Sequence, residues 1–133
     1  MNLQVGVDLV EIHRITAIFD RYGQRFLDRI YTPAEQARAR GRPAELAVRF
    51  AAKEATMKAL GTGRRGVGWR EVEVLSDPRG RPLLHLHGRA AVRAAELGLT
   101  GFAVSLSHER SMAIAMVVAW EKKADATAEK GSA

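Results

Sequence analysis

The stretch Ala44-Glu45-Leu46-Ala47-Val48-Arg49-Phe50-Ala51-Ala52-Lys53-Glu54-Ala55-Thr56-Met57-Lys58-Ala59-Leu60, closed by Gly61-Thr62-Gly63, decides the fold. It reads as one long helix, entered after the break Gly41-Arg42-Pro43 and stopped by the two glycines. On a 100° wheel Leu46, Phe50, Met57 and Leu60 share an apolar side. Glu54 and Lys58 are i, i+4 neighbours at its border, the spacing of a surface ion pair. Lys53 projects into the apolar side itself, where a lysine is unusual unless its stem snorkels past the core edge.

Working outward toward the N-terminus, Thr32-Pro33-Ala34-Glu35 has the form of a helix start, with Thr as N-cap, Pro at N1 and Glu at N3. Before it, Ile15, Ile18, Phe19 and Tyr22 make a helical stripe that Gly23 can end, and Phe26, Leu27 and Ile30 suggest a further turn. Residues 3 to 9 alternate, which predicts a strand with Leu3, Val5, Val7 and Leu9 toward the core and Asp8 on the other face. Toward the C-terminus, Gly61 to Gly68 reads as a basic, glycine-rich loop. Val72 and Val74 start a strand, Asp77-Pro78-Arg79-Gly80 is a type I turn, and Leu84 and Leu86 lie in the returning strand. Ala90 to Leu97 is a short helix. Phe102, Val104 and Leu106 alternate, as do Met112, Ile114, Met116, Val118 and Trp120, in two strands joined through His108 to Ser111. Helices interleave with hairpin-linked strands, so the expected class is α+β with a mainly antiparallel sheet. One domain over 1–120 is expected, with 121–133 a small, polar, disordered tail.

Composition narrows the chemistry. The 133 residues carry a formal charge of +6, 6% aromatics and no cysteine. Any metal must therefore sit on oxygen or imidazole ligands. The positive surface suits polyanions: phosphorylated cofactors, acidic proteins or nucleic acid. A nucleic-acid module is disfavoured by scattered arginines and scarce stacking aromatics. The first ten residues do not form a signal peptide, and no apolar run approaches the ~20 residues of a membrane span, so a cytoplasmic location is the expectation.

Two carboxylates, Asp8 and Glu54, with a nearby lysine suit a magnesium–phosphate site, because magnesium takes one or two carboxylates plus phosphate oxygens and water. Gly6, two residues before Asp8, marks a place where a ligand or another backbone comes close. Gly61-Thr62-Gly63 is open to two readings, a helix stop or a phosphate-contacting loop. Ser105, Ser107 and His108 end a strand.

These segments together resemble the holo-acyl-carrier-protein synthases, the small branch of the phosphopantetheinyl transferase superfamily. Gly6-Val7-Asp8 with Arg14 is similar to the family opening GxDxxxxxR. Phe50 to Gly63 is similar to FxxKEAxxKAxGTG, and Ser105-Leu106-Ser107-His108 with the run Ala113 to Val118 to SxSHxxxxA. Tyr31-Thr32-Pro33-Ala34-Glu35 resembles FTxxE, with Tyr for Phe. The resemblance covers nearly all of residues 4 to 120.

The resemblance implies a compact α+β subunit with a long central helix, working as a homotrimer with sites between neighbours. It implies transfer of 4′-phosphopantetheine from coenzyme A to a serine of an acyl carrier protein. Asp8 and Glu54 match the family's Mg2+ ligands and Lys58 its phosphate-facing lysine. Arg49 and His108 match positions around the coenzyme's 3′-phosphate, with Gly61, Gly63 and Ser107 in the same cofactor-binding blocks. A metal-bound water and Glu54 remain alternative acceptors for the serine proton. The family's first helix docks on an acidic carrier, and Arg14, Arg21 and Arg25, spaced i, i+7, i+11, share one face if helical geometry persists past Gly23. The larger two-lobed transferases are the competing reading within the same chemistry; one lobe's length requires this chain to assemble from copies.

Overall fold

The structure, a computed structural model, describes residues 2–123. The chain runs β1 (Leu3–Glu11), α1 (Ile12–Tyr22), α2 (Gln24–Ile30), α3 (Pro33–Ala39), α4 (Pro43–Leu60), α5 (Gly63–Gly66), a 3-10 turn (Trp69–Glu71), β2 (Val72–Ser76), β3 (Pro82–Leu86), α6 (Gly88–Glu96), β4 (Gly101–His108) and β5 (Met112–Trp120). This is the expected α+β class. An antiparallel sheet of order β1-β5-β4 carries α4 on one face, and β2 and β3 form a separate hairpin. Glu121 to Lys123 have no helix or strand, and the rest of the expected tail, 124–133, lies outside the described residues.

The helix α4 is buried on nearly every side, from Leu46 to Leu60. Its contact with the sheet is built from small residues. Ala51, Ala52, Ala55 and Ala59 belong to one buried core with Ala113, Ala115 and Val117 of β5. Gly6 makes the approach of β1 possible: a Cβ there would lie 1.8 Å from the Ala55 carbonyl oxygen and 3.1 Å from the Ala59 nitrogen. The ligand-approach reading of Gly6 is thereby replaced by a backbone–backbone one.

That packing reverses the expected orientation of β1. Gly6 and Val10 are buried and Asp8 is half-buried, facing α4, while Leu3, Val5, Val7 and Leu9 face out. In β5 likewise Ala113, Ala115, Val117 and Ala119 are inside and Ile114 and Met116 outside. The period was read correctly and its sign was not, because burial by α4 demands the small residues, not the large ones.

The Thr32 capping box forms in full, and the turn closes with the Gly80 N–H donating to the Asp77 carbonyl at 2.9 Å. Gly23, at φ 58°, breaks the chain between α1 and α2. The loop after α4 is not wholly irregular, since it contains α5.

Two carboxylates tie the hairpin and the loop to the rest. Glu71 accepts from the Gly68 N–H at 2.7 Å and from the Arg89 Nε at 3.0 Å. Glu73 accepts from the Thr32 hydroxyl at 2.6 Å and pairs with His87 Nε2 at 2.9 Å. Burial pushes both carboxyls up, but these hydrogen bonds and the neighbouring charges outweigh it and hold them below the usual 4.5. The unfolded chain therefore binds more protons in acid, so this stabilisation is present above about pH 4.5 and is lost as the pH falls further. Glu73→Gln is expected to lower stability at neutral pH and to flatten its dependence on pH between about 3 and 5. Denaturant unfolding across that range checks it; an unchanged slope rejects the assignment.

Candidate active site

Asp8 reaches the site from β1 and Lys58 from the last turn of α4. The Lys58 Nζ donates to Asp8 Oδ1 at 3.1 Å and to the Val7 carbonyl at 2.9 Å. Lysine has three N–H donors, and two of them are used in these two bonds. Lys58 is more than half exposed and Asp8 18% exposed, so the pair sits at the edge of the α4–sheet seam with access from solvent. Glu54, one turn before Lys58, lies on the same side of the helix. The structure thus brings Asp8 and Lys58 into contact, with Glu54 one turn along.

Arg49 and His108 meet elsewhere. They line a cleft of about 580 Å³ together with Arg38, Arg42, Arg81 and Ser105. Arg49 is buried, with Nη1 donating to the Glu45 carboxylate at 2.6 Å and to the Glu45 carbonyl at 3.1 Å. Its Nε is buried without a hydrogen-bond partner among the described residues. Burial pushes the Glu45 carboxyl up, but Arg49, with Arg42 and His108 adding their charge, holds it down. The cleft gathers Arg38, Arg42, Arg49, Arg81 and His108 around a single carboxylate, Glu45, an excess of cationic donors that suits a phosphate group.

Arg49 and Lys58 are nine positions apart on α4, about 13.5 Å along the axis and about 180° around it. One chain therefore presents the two cationic features on opposite sides of the same helix.

Gly61 and Gly63 adopt φ 68° and 62°, the left-handed region that favours glycine. Gly61 closes α4, with its N–H on the Lys58 carbonyl at 3.1 Å, and a Cβ at Gly63 would meet nothing within 4 Å. Gly61 is the helix-stop glycine, while Gly63 opens α5 with open space beside its Cα. Ser107 lies on the outer face of β4, in register with Ile114.

The alignment of three arginines does not hold, because α1 ends at Tyr22. Arg14 and Arg25 nevertheless line one groove of about 510 Å³ with Arg29, over a floor of Ile18, Phe26, Phe50 and Trp69. Phe50 and Trp69 are stacked at 4.9 Å. Arg21 instead lies over the Tyr22 ring. Sequence reasoning missed Arg29, Trp69, Arg38, Arg42 and Arg81. Arg42 and Arg81 each sit between a glycine and a proline, in Gly41-Arg42-Pro43 and Gly80-Arg81-Pro82, and that repeat was the available signal.

Lys53 does not snorkel. Its side chain is 0% exposed, and Nζ donates to Glu35 Oε1 at 2.7 Å, to the Trp69 carbonyl at 3.1 Å and to the Val72 carbonyl.

The fold, the seam and the basic cleft define the class. The chain belongs to the 4′-phosphopantetheinyl transferase superfamily, whose family profile matches residues 4–116. Its relatives narrow that class. The holo-[acyl-carrier-protein] synthase of Herpetosiphon aurantiacus is 52% identical over 123 residues, covering 87% of this chain and 97% of the relative. That of Chloroflexus aurantiacus is 50% identical over 131 residues, covering 86% and 96%. Among solved structures, the Helicobacter pylori holo-[acyl-carrier-protein] synthase in complex with coenzyme A superposes with a TM-score of 0.80 at 29% identity, over 87% of this chain and 99% of that one. The Neisseria meningitidis enzyme gives 0.80 at 37%, over 88% and 97%. The family resemblance carried by the sequence motifs is borne out.

Proposed function

We propose that this chain transfers 4′-phosphopantetheine from coenzyme A to a serine hydroxyl of an apo acyl carrier protein, releasing adenosine 3′,5′-bisphosphate. The observation that carries it is the Asp8–Lys58 contact at the mouth of the α4–sheet seam, in a chain whose relatives are named for this reaction. The serine oxygen attacks the β-phosphorus, the bridging P–O bond breaks, and negative charge grows on the departing phosphate. Lys58 places a fixed cation where that charge develops, and such a group contributes most as the bond breaks. Glu54 or a water takes the serine proton.

The donor set fits a divalent metal. Magnesium needs one or two carboxylates and completes its oxygen shell with phosphate and water. Asp8 and Glu54 supply two, and among the described residues no third acidic or imidazole side chain joins them in a metal-holding cluster. A bound magnesium ion would neutralise the pyrophosphate. Arg49 and His108, with Arg42 and Arg81, would grip the coenzyme's 3′-phosphate. The test is incubation with coenzyme A, magnesium and purified apo carrier, read by intact mass. Gain of one phosphopantetheinyl group supports the reading, and an unmodified carrier rejects it.

The two cationic features point away from each other on one helix, so a site that uses both takes them from different copies. The outer sheet face supplies the contact. Leu3, Val5, Val7 and Leu9 stand in register with Trp120, Val118, Met116 and Ile114. Leu9 is 59% and Met116 47% exposed. A contiguous apolar face of this kind marks an interface. A homotrimer is expected to sediment at three times the chain's 14.6 kDa. Met116→Glu is expected to sediment as a monomer and to lose transfer; an active monomer would reject the assembly.

The Arg14–Arg25–Arg29 groove suits an acidic, amphipathic carrier helix: apolar floor, cationic rim. Opposite charges at a rim mainly steer encounter and orientation. Arg14→Glu combined with Arg25→Glu is expected to raise KM for the carrier at least about tenfold at low salt. It should leave KM for coenzyme A unchanged and flatten the salt dependence of kcat/KM. Unaltered carrier kinetics would place the docking surface elsewhere. No helix of the described residues is long and apolar enough to cross a membrane.

A further inference from the structure

The surface of α4 that meets the sheet is mostly alanine: Ala51, Ala52, Ala55 and Ala59, with Val48 on the same arc. Side chains this short form low ridges, and ridges set into grooves are what fix the rotation and axial position of a packed helix. An alanine surface buries area without strongly selecting one rotation. Yet the site requires one: Glu54 and Lys58 must face Asp8 across the seam.

Lys53 supplies the directional restraint that alanine lacks. It projects about 140° around the helix from Lys58, and all three of its ammonium N–H groups have partners on different segments. They are the Glu35 carboxylate, the Trp69 carbonyl and the Val72 carbonyl. Glu35 is itself held in place. Its Oε1 also accepts from the Thr32 N–H at 2.9 Å and its Oε2 from the Val74 N–H at 3.0 Å. Both side chains are 0% exposed. Hydrogen bonds between buried ions are short and angle-dependent, and a dry interior offers no water to replace them. A rotation of α4 would break three bonds at once. The same ammonium holds the carbonyl of Trp69, whose ring stacks on Phe50 in the wall of the arginine-rimmed groove.

We propose that the buried Lys53–Glu35 pair is a positioning device. It sets the rotation of α4 so that the neighbouring Glu54, and Lys58 one turn on, face Asp8, and it fixes Trp69 against the same helix. Lys53 touches no substrate; it acts through the helix it anchors. The kcat arm of the test rests on the transfer reading above, and the exchange arm does not.

The experiment uses the full chain with Lys53→Met, with Glu35→Gln, and with Leu99→Ala as a destabilised control from the second core cluster, a side chain with no polar group to offer the pair. In Lys53→Met protein that still melts cooperatively, kcat should fall at least tenfold, with KM for coenzyme A within twofold of wild type. Hydrogen exchange of the Glu54 to Lys58 amides, measured without ligand or metal, should quicken at least tenfold, while that of β4 and β5 stays within twofold. Glu35→Gln keeps one acceptor oxygen for Lys53 but sets an N–H donor against the Val74 N–H, so its kcat should fall between those of wild type and Lys53→Met. Leu99→Ala should lose melting temperature and keep kcat within twofold. Should Lys53→Met not fold, Glu35→Asp, which retracts the acceptor by one methylene, is read by the same two measurements.

Folded Lys53→Met with wild-type kcat and wild-type exchange at 54–58 would overturn the proposal, as would an equal fall in kcat for Leu99→Ala. If the wild-type chain transferred nothing, the exchange measurement alone would decide, and only the transfer reading would have failed.

Discussion

Glu54→Gln is expected to reduce transfer by at least about a hundredfold while the protein folds normally, an effect in the range for removing one charged group that acts on the transition state. The change is isosteric and keeps a hydrogen-bonding group at the edge of the seam. What it removes is one of two negative charges. Beside Asp8, already engaged by Lys58 at 3.1 Å, the loss leaves a single carboxylate to hold a divalent ion. Activity in the wild-type protein should disappear with a chelator and return with added magnesium. In Glu54→Gln it should return only in part, at higher metal concentration. A folded Glu54→Gln protein with a near-normal rate would remove both the metal role and the proton-acceptor role from this residue.

The second large effect is on folding. Gly6→Ala should cost ~3 kcal/mol or more, at the upper end for overpacking a core. Its new methyl group would sit 1.8 Å from the Ala55 carbonyl oxygen and 2.8 Å from its carbon. Both are backbone atoms in the middle of an 18-residue helix, so no side chain can swing aside, and relief requires β1 and α4 to part. Parting them also separates Asp8 from Lys58, so any folded fraction should transfer slowly. Denaturant unfolding measures the loss. A Gly6→Ala protein as stable as wild type would show that the two backbones do not come this close.

The order of the elements was legible in the sequence because it is written in local signals. Thr32 and Glu35 specify a capping box that forms as expected, Asp77 to Gly80 a turn, and Gly61 the end of α4. Orientation was not legible, because it depends on partners distant in the chain. The alternation of Leu3, Val5, Val7 and Leu9 gives a period of two whichever face is inside. Gly6 decides the face, through a helix about fifty residues later. Lys53 gave a similar ambiguity. Its position on the wheel shows that it enters the core, but its partner is eighteen positions earlier, and Glu35 had already been explained by its cap. The residues proposed for the carboxylate–lysine site came from the family motifs, and of them the structure shows Asp8 and Lys58 in contact. The half-turn between Arg49 and Lys58 follows from their spacing of nine on α4, but the cleft around Arg49 was not legible, since Arg38, Arg42, Arg81 and Ser105 reach it from other parts of the chain. Arg14 and Arg25 were read onto one helical face. They share a groove for a different reason, the sharp turn at Gly23 that folds α2 back beside α1.

The opposed directions of Arg49 and Lys58 bear on how defects in this protein combine. If each working site draws Lys58 from one chain and Arg49 from its neighbour, a chain damaged at Arg49 and a chain damaged at Lys58 are silent alone and complementary together. In any ring of three containing both kinds, one boundary unites the two intact halves and another gathers both lesions. Two defective alleles in one cell would then restore part of what each had lost. On that arrangement the unit of inheritance for activity would be the boundary between chains, and a single chain would carry two halves of different sites.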